Sequence, residues 1–141
     1  MIKNLLAVLT VSMALVFAAC SPQSTDNTDT QSETQETVKA EIINNTPEEF
    51  EASMQGEYLL LDVRTQAEYD EGHINDPTLI PVDELESRLD EISEYKDKPV
   101  LVYCRSGNRS VTASNILIQN GFSEVHNLLG GIGAWNAYKA D

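Results

Sequence analysis

A single cysteine, Cys104, stands where an apolar run ends and a polar, glycine-containing loop begins. The apolar run before it is Val100-Leu101-Val102-Tyr103. The residues after it are Arg105, Ser106, Gly107, Asn108, Arg109 and Ser110. A helix is predicted to follow, and a helix N-terminus and neighbouring arginines both favour the thiolate, the reactive form of cysteine. The pattern therefore predicts a nucleophilic thiol; the alternative is a small buried residue at a strand end.

The segments around this loop alternate between strand and helix patterns. Strands are predicted at 41–43, 58–63, 78–80, 99–103 and 125–129, and helices at 47–54, 82–92, 111–120 and 133–139, with a short helical turn within 64–72. Such alternation predicts an α/β fold with a mainly parallel sheet and helices on both faces. Ligand sites of such sheets lie at the carboxyl ends of the strands, which is where Cys104 falls.

Two of the predicted helices rest on specific signals. Thr46, Pro47 and Glu49 offer an N-cap, a proline at the first helical position and a capping-box carboxylate. Apolar residues spaced three and four apart run from Val82 to Ile92, with acidic residues between them. This spacing predicts one α-helix over 82–92.

Four segments resemble the signatures of the rhodanese family, in order along the chain. They are Leu61–Arg64 followed by Glu68-Tyr69 and Gly72-His73-Ile74, then Ile80–Leu85, then Cys104–Ser110, and finally Gly130–Trp135. The resemblance spans Ala40 to Tyr138 and implies one rhodanese-like domain over 40–141, a three-layer α/β fold around a five-stranded, mainly parallel sheet. Asn75–Leu79 departs from the family pattern, which predicts a loop of different shape there.

The resemblance implies a sulfurtransferase. The Cys104 thiolate would take sulfur from thiosulfate or a persulfide, small sulfur-containing donors, hold it as a persulfide, and pass it to a thiol or cyanide-like acceptor. Loop amides and the helix dipole would hold the anion. The residues assigned to this loop are Arg105, Ser106, Gly107, Asn108, Arg109 and Ser110. We assign donor binding to Arg105 and loop support to Arg109; a solvated arginine is the alternative for either.

The remaining candidate side chains receive structural roles. Asp62 and Arg64 follow another strand and are predicted to form a buried ion pair on the same rim. His73 and His126 are predicted to be structural, so a Cys/His protease would lack its histidine. The CxxC and HExxH spacings of metal sites do not occur in the sequence, and neither a metal nor a cofactor is predicted.

Two other functions are compatible with a reactive cysteine in such a fold. Cysteine phosphatases and arsenate reductases of related fold have a loop wide enough for a tetrahedral oxyanion, one residue longer than the four residues between Cys104 and Arg109. The short loop argues for sulfur chemistry. A non-catalytic binding module is the second alternative; the retained Cys104 argues against it but leaves a sulfur-sensing or sulfur-carrier role open.

Residues 1–19 have the pattern of a signal peptide. The single charge, Lys3, precedes an apolar and small-residue stretch from Leu5 to Ala19. This stretch is shorter than the about 20 residues that a membrane-spanning helix needs. Val16–Cys20 resembles the lipobox of bacterial lipoproteins, although Phe17 stands where leucine is usual. Cleavage after Ala18 without lipidation is the alternative.

Lipidation of Cys20 predicts a protein of the bacterial cell envelope, anchored to a membrane by lipid alone. Residues 20–39 are rich in Ser, Thr, Gln and acidic residues and are predicted to form a disordered tether. With Cys20 acylated, Cys104 would be the one free thiol, because the chain has only two cysteines. The domain would then lack an internal disulfide, and we expect a monomer.

The protein is strongly acidic, with nine Lys and Arg against 23 Asp and Glu and a formal charge of −14. Removal of the signal peptide with Lys3 leaves eight against 23, a charge of −15. This charge argues against nucleic acid as a partner, since nucleic-acid binding relies on Lys and Arg. It would also repel an anionic bilayer surface.

Overall fold

The computed structural model describes residues 40–141, where strands and helices alternate along the chain. The elements are β1 Glu41–Asn45, α1 Pro47–Ala52, β2 Leu59–Asp62, α2 Gln66–Asp70, β3 Thr78–Leu79, α3 Val82–Leu85, a 3₁₀ helix Glu86–Tyr95, β4 Pro99–Tyr103, α4 Asn108–Gln119, β5 Glu124–Leu128 and α5 Gly131–Ala140. The predicted signal peptide at 1–19, the tether at 20–39 and the lipidation site Cys20 lie outside the described residues and stay predictions. A search of the helices within 40–141 finds none long and apolar enough to cross a membrane.

The sheet has five strands in the order β1-β5-β4-β2-β3, and every neighbouring pair is parallel. The predicted five-stranded sheet is therefore confirmed. The register places Asp62 beside Tyr103, at the carboxyl ends of β2 and β4. Since Cys104 follows Tyr103 directly, the cysteine loop leaves the sheet from its central strand, at the edge that binds ligands in folds of this kind.

Side chains alternate between the two faces of the sheet and bury both. Leu61 and Val102 pack with α3, the 3₁₀ helix and α4 on one face. Leu60 and Leu101 pack with α1 and α5 on the other face, where Phe50 meets Trp135 edge-on. The three-layer architecture is confirmed, and the continuous apolar runs of the strands follow from burial on both faces.

The prediction of an α-helix over 82–92 is wrong for most of that range. The chain forms one turn of α-helix, α3, and then a 3₁₀ helix from Glu86 to Tyr95. Leu89, Ile92 and Tyr95 pack on the α4 side of the sheet. They are spaced by three residues, and a 3₁₀ helix with three residues per turn places all of them on one face.

The helices that flank the cysteine loop begin earlier than predicted. α4 begins at Asn108 and not at 111, and α5 begins at Gly131 and not at 133. Each follows a glycine with positive φ, Gly107 at 102° and Gly130 at 73°. A left-handed residue at this position turns the chain sharply, so the first amides of each helix lie beside the loop.

Gly131 lies against the backbone of the cysteine loop. A Cβ on this residue would overlap the Cys104 carbonyl oxygen and lie 2.6 Å from the carbonyl carbon of Arg105. Its φ of 59° adds a conformation that residues with side chains rarely adopt. Only glycine therefore allows α5 to approach the loop this closely.

We expect Gly131→Ala to destabilise the protein by about 3 kcal/mol, because it combines a left-handed residue with a backbone overlap. Gly56→Ala is the matched control: Gly56 also has positive φ, at 76°, but an added Cβ would find no atom within 4 Å. The control should lose about 1 kcal/mol. Urea unfolding of the full chain measures both, and equal losses would show that the close approach of α5 contributes nothing.

Candidate active site

The sulfur of Cys104 is buried, with the residue 1% exposed, and it lies at the N-terminus of α4. The backbone N–H of Gly107 donates to Sγ at 3.1 Å, and the Ser110 hydroxyl oxygen lies 3.5 Å from Sγ. The loop residues thus fold around the sulfur. Asn108 and Arg105 are exposed. Within residues 40–141, neither of these side chains makes a hydrogen bond to the sulfur.

Two opposing effects set the pKa of Cys104. Burial raises the pKa, because it removes water from the thiolate. Hydrogen bonds from the Ser110 hydroxyl and from the amides of Ser110, Ser106 and Gly107 lower it and outweigh burial. The pKa of Cys104 therefore lies below its ordinary value, and the thiolate is favoured.

Two acceptors lie within reach of the Ser110 hydroxyl, the Gly107 carbonyl and the Cys104 sulfur. It donates to the Gly107 carbonyl at 2.9 Å while lying 3.5 Å from the sulfur. A thiol can donate to the Ser110 oxygen, whereas a thiolate can only accept. Rotation of the hydroxyl from the carbonyl to the sulfur would therefore accompany ionisation of Cys104.

The backbone of the loop is fixed from the side of α5. The N–H of Ile132 donates to the Cys104 carbonyl at 2.8 Å, and the N–H of Gly133 donates to the Arg105 carbonyl at 3.4 Å. These bonds engage the first carbonyls of the loop with the N-terminus of α5. The loop amides are then free to donate to the sulfur.

Arg109 is bound by a carboxylate that the sequence did not mark as a site residue. Its guanidinium makes a bidentate ion pair with Glu68, at 2.6 and 2.8 Å. Glu68 also accepts from the backbone N–H of Thr65 in the capping box of α2. The bond to Arg109 lowers the pKa of Glu68 to about 2. The pair joins α2 to the cysteine loop.

The sequence contained only part of the information needed to identify Glu68 as a site residue. The spacing of Thr65 and Glu68 fits a capping box, and Glu68 belongs to the early family segment. Arg64 lies four residues before it, the spacing of a helical ion pair, but Arg64 binds the Glu68 carbonyl at 3.0 Å instead of its carboxylate. The partner, Arg109, lies 41 residues away and only folding brings it near.

A buried polar cluster supports the same rim. Arg64 and Asp62 form an ion pair at 2.6 Å, and the Tyr103 hydroxyl donates to Asp62 at 2.8 Å. Burial raises the pKa of Tyr103, so its hydroxyl stays protonated and can donate. Arg64 also donates to the carbonyl of Gly72 at 2.8 Å, and Tyr103 accepts from the Ile74 amide at 3.2 Å. The cluster ties the segment after α2 to the strand that carries Cys104.

A cleft of about 580 Å³ opens beside the loop, between the end of α2 and the start of α5. Its polar lining residues are Arg64, Glu68, Glu71, His73, Arg105, Ser106 and Asn136. Cys104 is buried and does not contribute to the cleft wall. Of the cysteine loop, Arg105 and Ser106 therefore face the cleft and the sulfur does not.

The two histidines occupy different environments. His126 is buried in β5, within 2.7 Å of the Asn45 side chain and 2.8 Å of the Glu124 carboxylate, as a structural histidine would be. His73 is exposed, stacks on the Tyr69 ring and lines the cleft. Its ring nitrogen Nδ1 also lies 3.2 Å from the Tyr69 carbonyl, and the structural role assigned to His73 stays a prediction. Residues 40–141 contain no group of three or more His, Cys, Asp and Glu arranged to hold a metal ion.

The model of the rhodanese-like domain family matches residues 46–138. The chain belongs to the rhodanese-like domain family. A sulfurtransferase of Allochromatium vinosum is 47% identical over 77 residues, covering 55% of this chain and 70% of that protein. The thiosulfate sulfurtransferase GlpE of Coxiella burnetii is 37% identical over 93 residues, covering 64% and 83%. The crystal structure of a rhodanese-related protein from Thermoplasma volcanium is 30% identical with a TM-score of 0.61, covering 68% of this chain and 92% of that one.

These findings confirm the family that the four sequence segments predicted. The matched range contains both the cysteine loop and the early segment with Asp62, Arg64 and Glu68. The cleft, the amide-lined sulfur and the Glu68–Arg109 pair are therefore features of a rhodanese-like domain with sulfurtransferase relatives. The individual roles assigned to the loop residues stay predictions.

We expect Ser110→Ala to raise the pKa of Cys104, because it removes the hydroxyl that favours the thiolate. Ser114→Ala is the control, since Ser114 is buried one turn later on α4 and its hydroxyl has no partner within the described residues. The pH dependence of Cys104 alkylation, read by mass spectrometry of its peptide, measures the pKa. The midpoint should move to higher pH in the first variant alone; an unchanged midpoint would refute the role of Ser110.

We expect Glu68→Gln to lower the free energy of unfolding by about 1 kcal/mol at neutral pH, after allowance for solvent screening of the partly exposed Arg109. The pKa of Glu68 falls from 4.5 to about 2 on folding. Stabilisation by the ion pair is thus full above pH 4.5 and is lost as the pH falls towards 2. In the variant, the free energy of unfolding should therefore vary less with pH in that range. Glu91→Gln, which breaks the exposed pair with Arg88, should change the free energy of unfolding less. Equal changes in the two variants would show that the Glu68–Arg109 pair does not support the cysteine loop.

Proposed function

We propose that this protein is a sulfurtransferase in which Cys104 carries one sulfur atom as a persulfide. The observation that carries the proposal is the buried sulfur, held by loop amides and the Ser110 hydroxyl so that the pKa of Cys104 is lowered. A site built to hold a sulfur anion suits both a thiolate and the persulfide that replaces it. The relative from Coxiella burnetii is named as a thiosulfate sulfurtransferase.

The first step transfers sulfur to the enzyme. The Cys104 thiolate attacks the outer, sulfane sulfur of thiosulfate, and a new S–S bond forms as the bond to the sulfonate sulfur breaks. Sulfite leaves with the electron pair of the broken bond. The negative charge of the thiolate passes to the terminal sulfur of the persulfide, so charge and atoms balance without a metal or redox cofactor.

The two loop arginines have different surroundings, which supports different roles. Arg109 is engaged by Glu68 and braces the loop. Arg105 is exposed, lines the cleft and makes no ion pair or side-chain hydrogen bond with the residues at 40–141. Its guanidinium is therefore available for the sulfonate end of a donor, with the geometry that arginine offers to oxyanions.

The second step returns the enzyme to its starting state. A nucleophilic acceptor attacks the outer sulfur of the persulfide, and the Cys104 thiolate leaves. With cyanide as acceptor, the product is thiocyanate. The same amides that stabilised the persulfide then stabilise the thiolate as the leaving group, so little reorganisation is needed as the charge moves between the two sulfurs.

A phosphatase or a passive carrier fits the site less well. Four residues separate Cys104 from Arg109, and the shorter loop leaves less room for a tetrahedral phosphate. A carrier needs no cleft beside its thiol, whereas about 580 Å³ opens beside this loop. Both alternatives make their own predictions in the experiment below.

We expect the purified protein to form thiocyanate from thiosulfate and cyanide, and to gain the mass of one sulfur atom on Cys104 when incubated with thiosulfate alone. Cys104→Ala should abolish both signals, because the nucleophile is gone. Cys20→Ser is the matched control, since it removes the other cysteine and should retain both. Thiocyanate is measured by absorbance of its iron complex, and the added sulfur by intact mass.

Other outcomes would decide against the proposal. Persulfide formation without turnover to any acceptor would make the protein a sulfur carrier. Hydrolysis of an aryl phosphate that depends on Cys104, without persulfide formation, would favour the phosphatase. Equal activity of wild type and Cys104→Ala would remove the cysteine from the mechanism.

A further inference from the structure

The cleft beside the cysteine loop is larger than the small inorganic substrates of the proposed reaction require. Its volume is about 580 Å³, which lies within the range of about 300–1,000 Å³ typical of sites for organic ligands. Thiosulfate and cyanide would each fill a small part of it. The space therefore fits a substrate with several more heavy atoms than either ion.

The charged side chains of the cleft divide into two groups. Arg64 and Glu68 are already paired, with Asp62 and Arg109 respectively. Glu71 and Arg105 line the same cleft, and neither makes an ion pair or side-chain hydrogen bond with any residue that the structure describes. The unpaired charges of the cleft are thus one carboxylate and one guanidinium.

We propose that Glu71 and Arg105 select a sulfur acceptor that carries both an ammonium and a carboxylate group, as amino-acid and short-peptide thiols do. Glu71 binds the ammonium and Arg105 the carboxylate. Asn136 and His73, which line the same cleft, offer hydrogen bonds to the rest of such a molecule. This inference rests on the proposed sulfur transfer and names the class of acceptor for it.

The charges of the cleft support an acceptor of this kind. A purely anionic thiol can reach Arg105 but is repelled by Glu71 at close range. A purely cationic thiol is attracted but leaves Arg105 without a partner. A zwitterion has no net charge to repel and satisfies both side chains.

The step balances with the acceptor thiol as the only added reactant. The acceptor loses its S–H proton to the terminal sulfur of the persulfide, and its thiolate attacks that sulfur. The S–S bond to Cys104 breaks, and Cys104 leaves as the thiolate. The products are the acceptor persulfide and the free enzyme, with no change in total oxidation state.

The experiment isolates the acceptor step in a single turnover. The full chain is loaded with sulfur from thiosulfate, desalted and mixed with one of four thiols: 2-mercaptoethanol, thioglycolate, cysteamine or cysteine. These are neutral, anionic, cationic and zwitterionic. The loss of the added sulfur from Cys104 is followed by intact mass after quenching. For each thiol the rate of a variant is divided by that of wild type, which cancels the intrinsic reactivity of the thiol.

We expect Glu71→Gln to slow the reactions of cysteine and cysteamine about three- to tenfold, the effect of losing one ordinary hydrogen bond at an open site, and to leave the reaction of 2-mercaptoethanol unchanged. Thioglycolate should be unchanged or faster. Arg105→Gln should slow cysteine and thioglycolate instead. Glu94→Gln, the matched control, removes the same charge from an exposed residue outside the cleft and should alter no ratio.

The results distinguish this inference from the proposed function. Equal ratios for all four thiols in Glu71→Gln, or the same pattern in Glu94→Gln, would overturn the selection of a zwitterion while sulfur transfer itself stands. Failure of the wild-type protein to gain sulfur on Cys104 from thiosulfate or a persulfide would instead overturn the proposed function.

Discussion

The site depends on stabilising the Cys104 thiolate inside an acidic protein, where burial opposes it. Cys104 is 1% exposed, so water cannot stabilise its thiolate, and the chain carries a formal charge of −14. Arg109 cannot supply an uncompensated positive charge, because Glu68 binds it. The stabilisation comes mainly from fixed dipoles, namely the loop amides and one hydroxyl, which are aimed at the sulfur and need little reorganisation when charge moves onto it.

Fixed dipoles are useful only if the backbone that carries them is rigid, and two supports provide this. On one side, the first amides of α5 bind the carbonyls of Cys104 and Arg105, which requires the close approach that Gly131 allows. On the other side, Glu68 binds Arg109 from α2. The buried Asp62–Arg64 pair in turn anchors the segment around α2 to the sheet. The loop is therefore held between two helices, one of which precedes it and one of which follows it in the sequence.

The same supports shape the cleft. The residues that brace the loop have their charges paired, so they contribute walls and not binding groups. Arg105, which the sequence assigned to donor binding, has no such pairing within the described residues, and the fold places Glu71 in the same cleft. The two sets of charges are thus separated: paired side chains position the loop, and the unpaired ones line the cleft, where we propose that they bind the substrate.

The sequence by itself determined the family and the sheet, and it predicted Cys104 as the nucleophile. Apolar runs such as Val100–Tyr103 and the glycines around the loop are local signals, because burial on two faces and positive φ act on individual residues. The tertiary structure alone decided three other features: the 3₁₀ helix after Leu85, the Glu68–Arg109 pair and the place of His73 in the cleft. The type of that helix depends on the face it packs against, and the pair joins residues 41 apart in the chain. Such contacts exist only once the sheet has brought α2, the loop and α5 together.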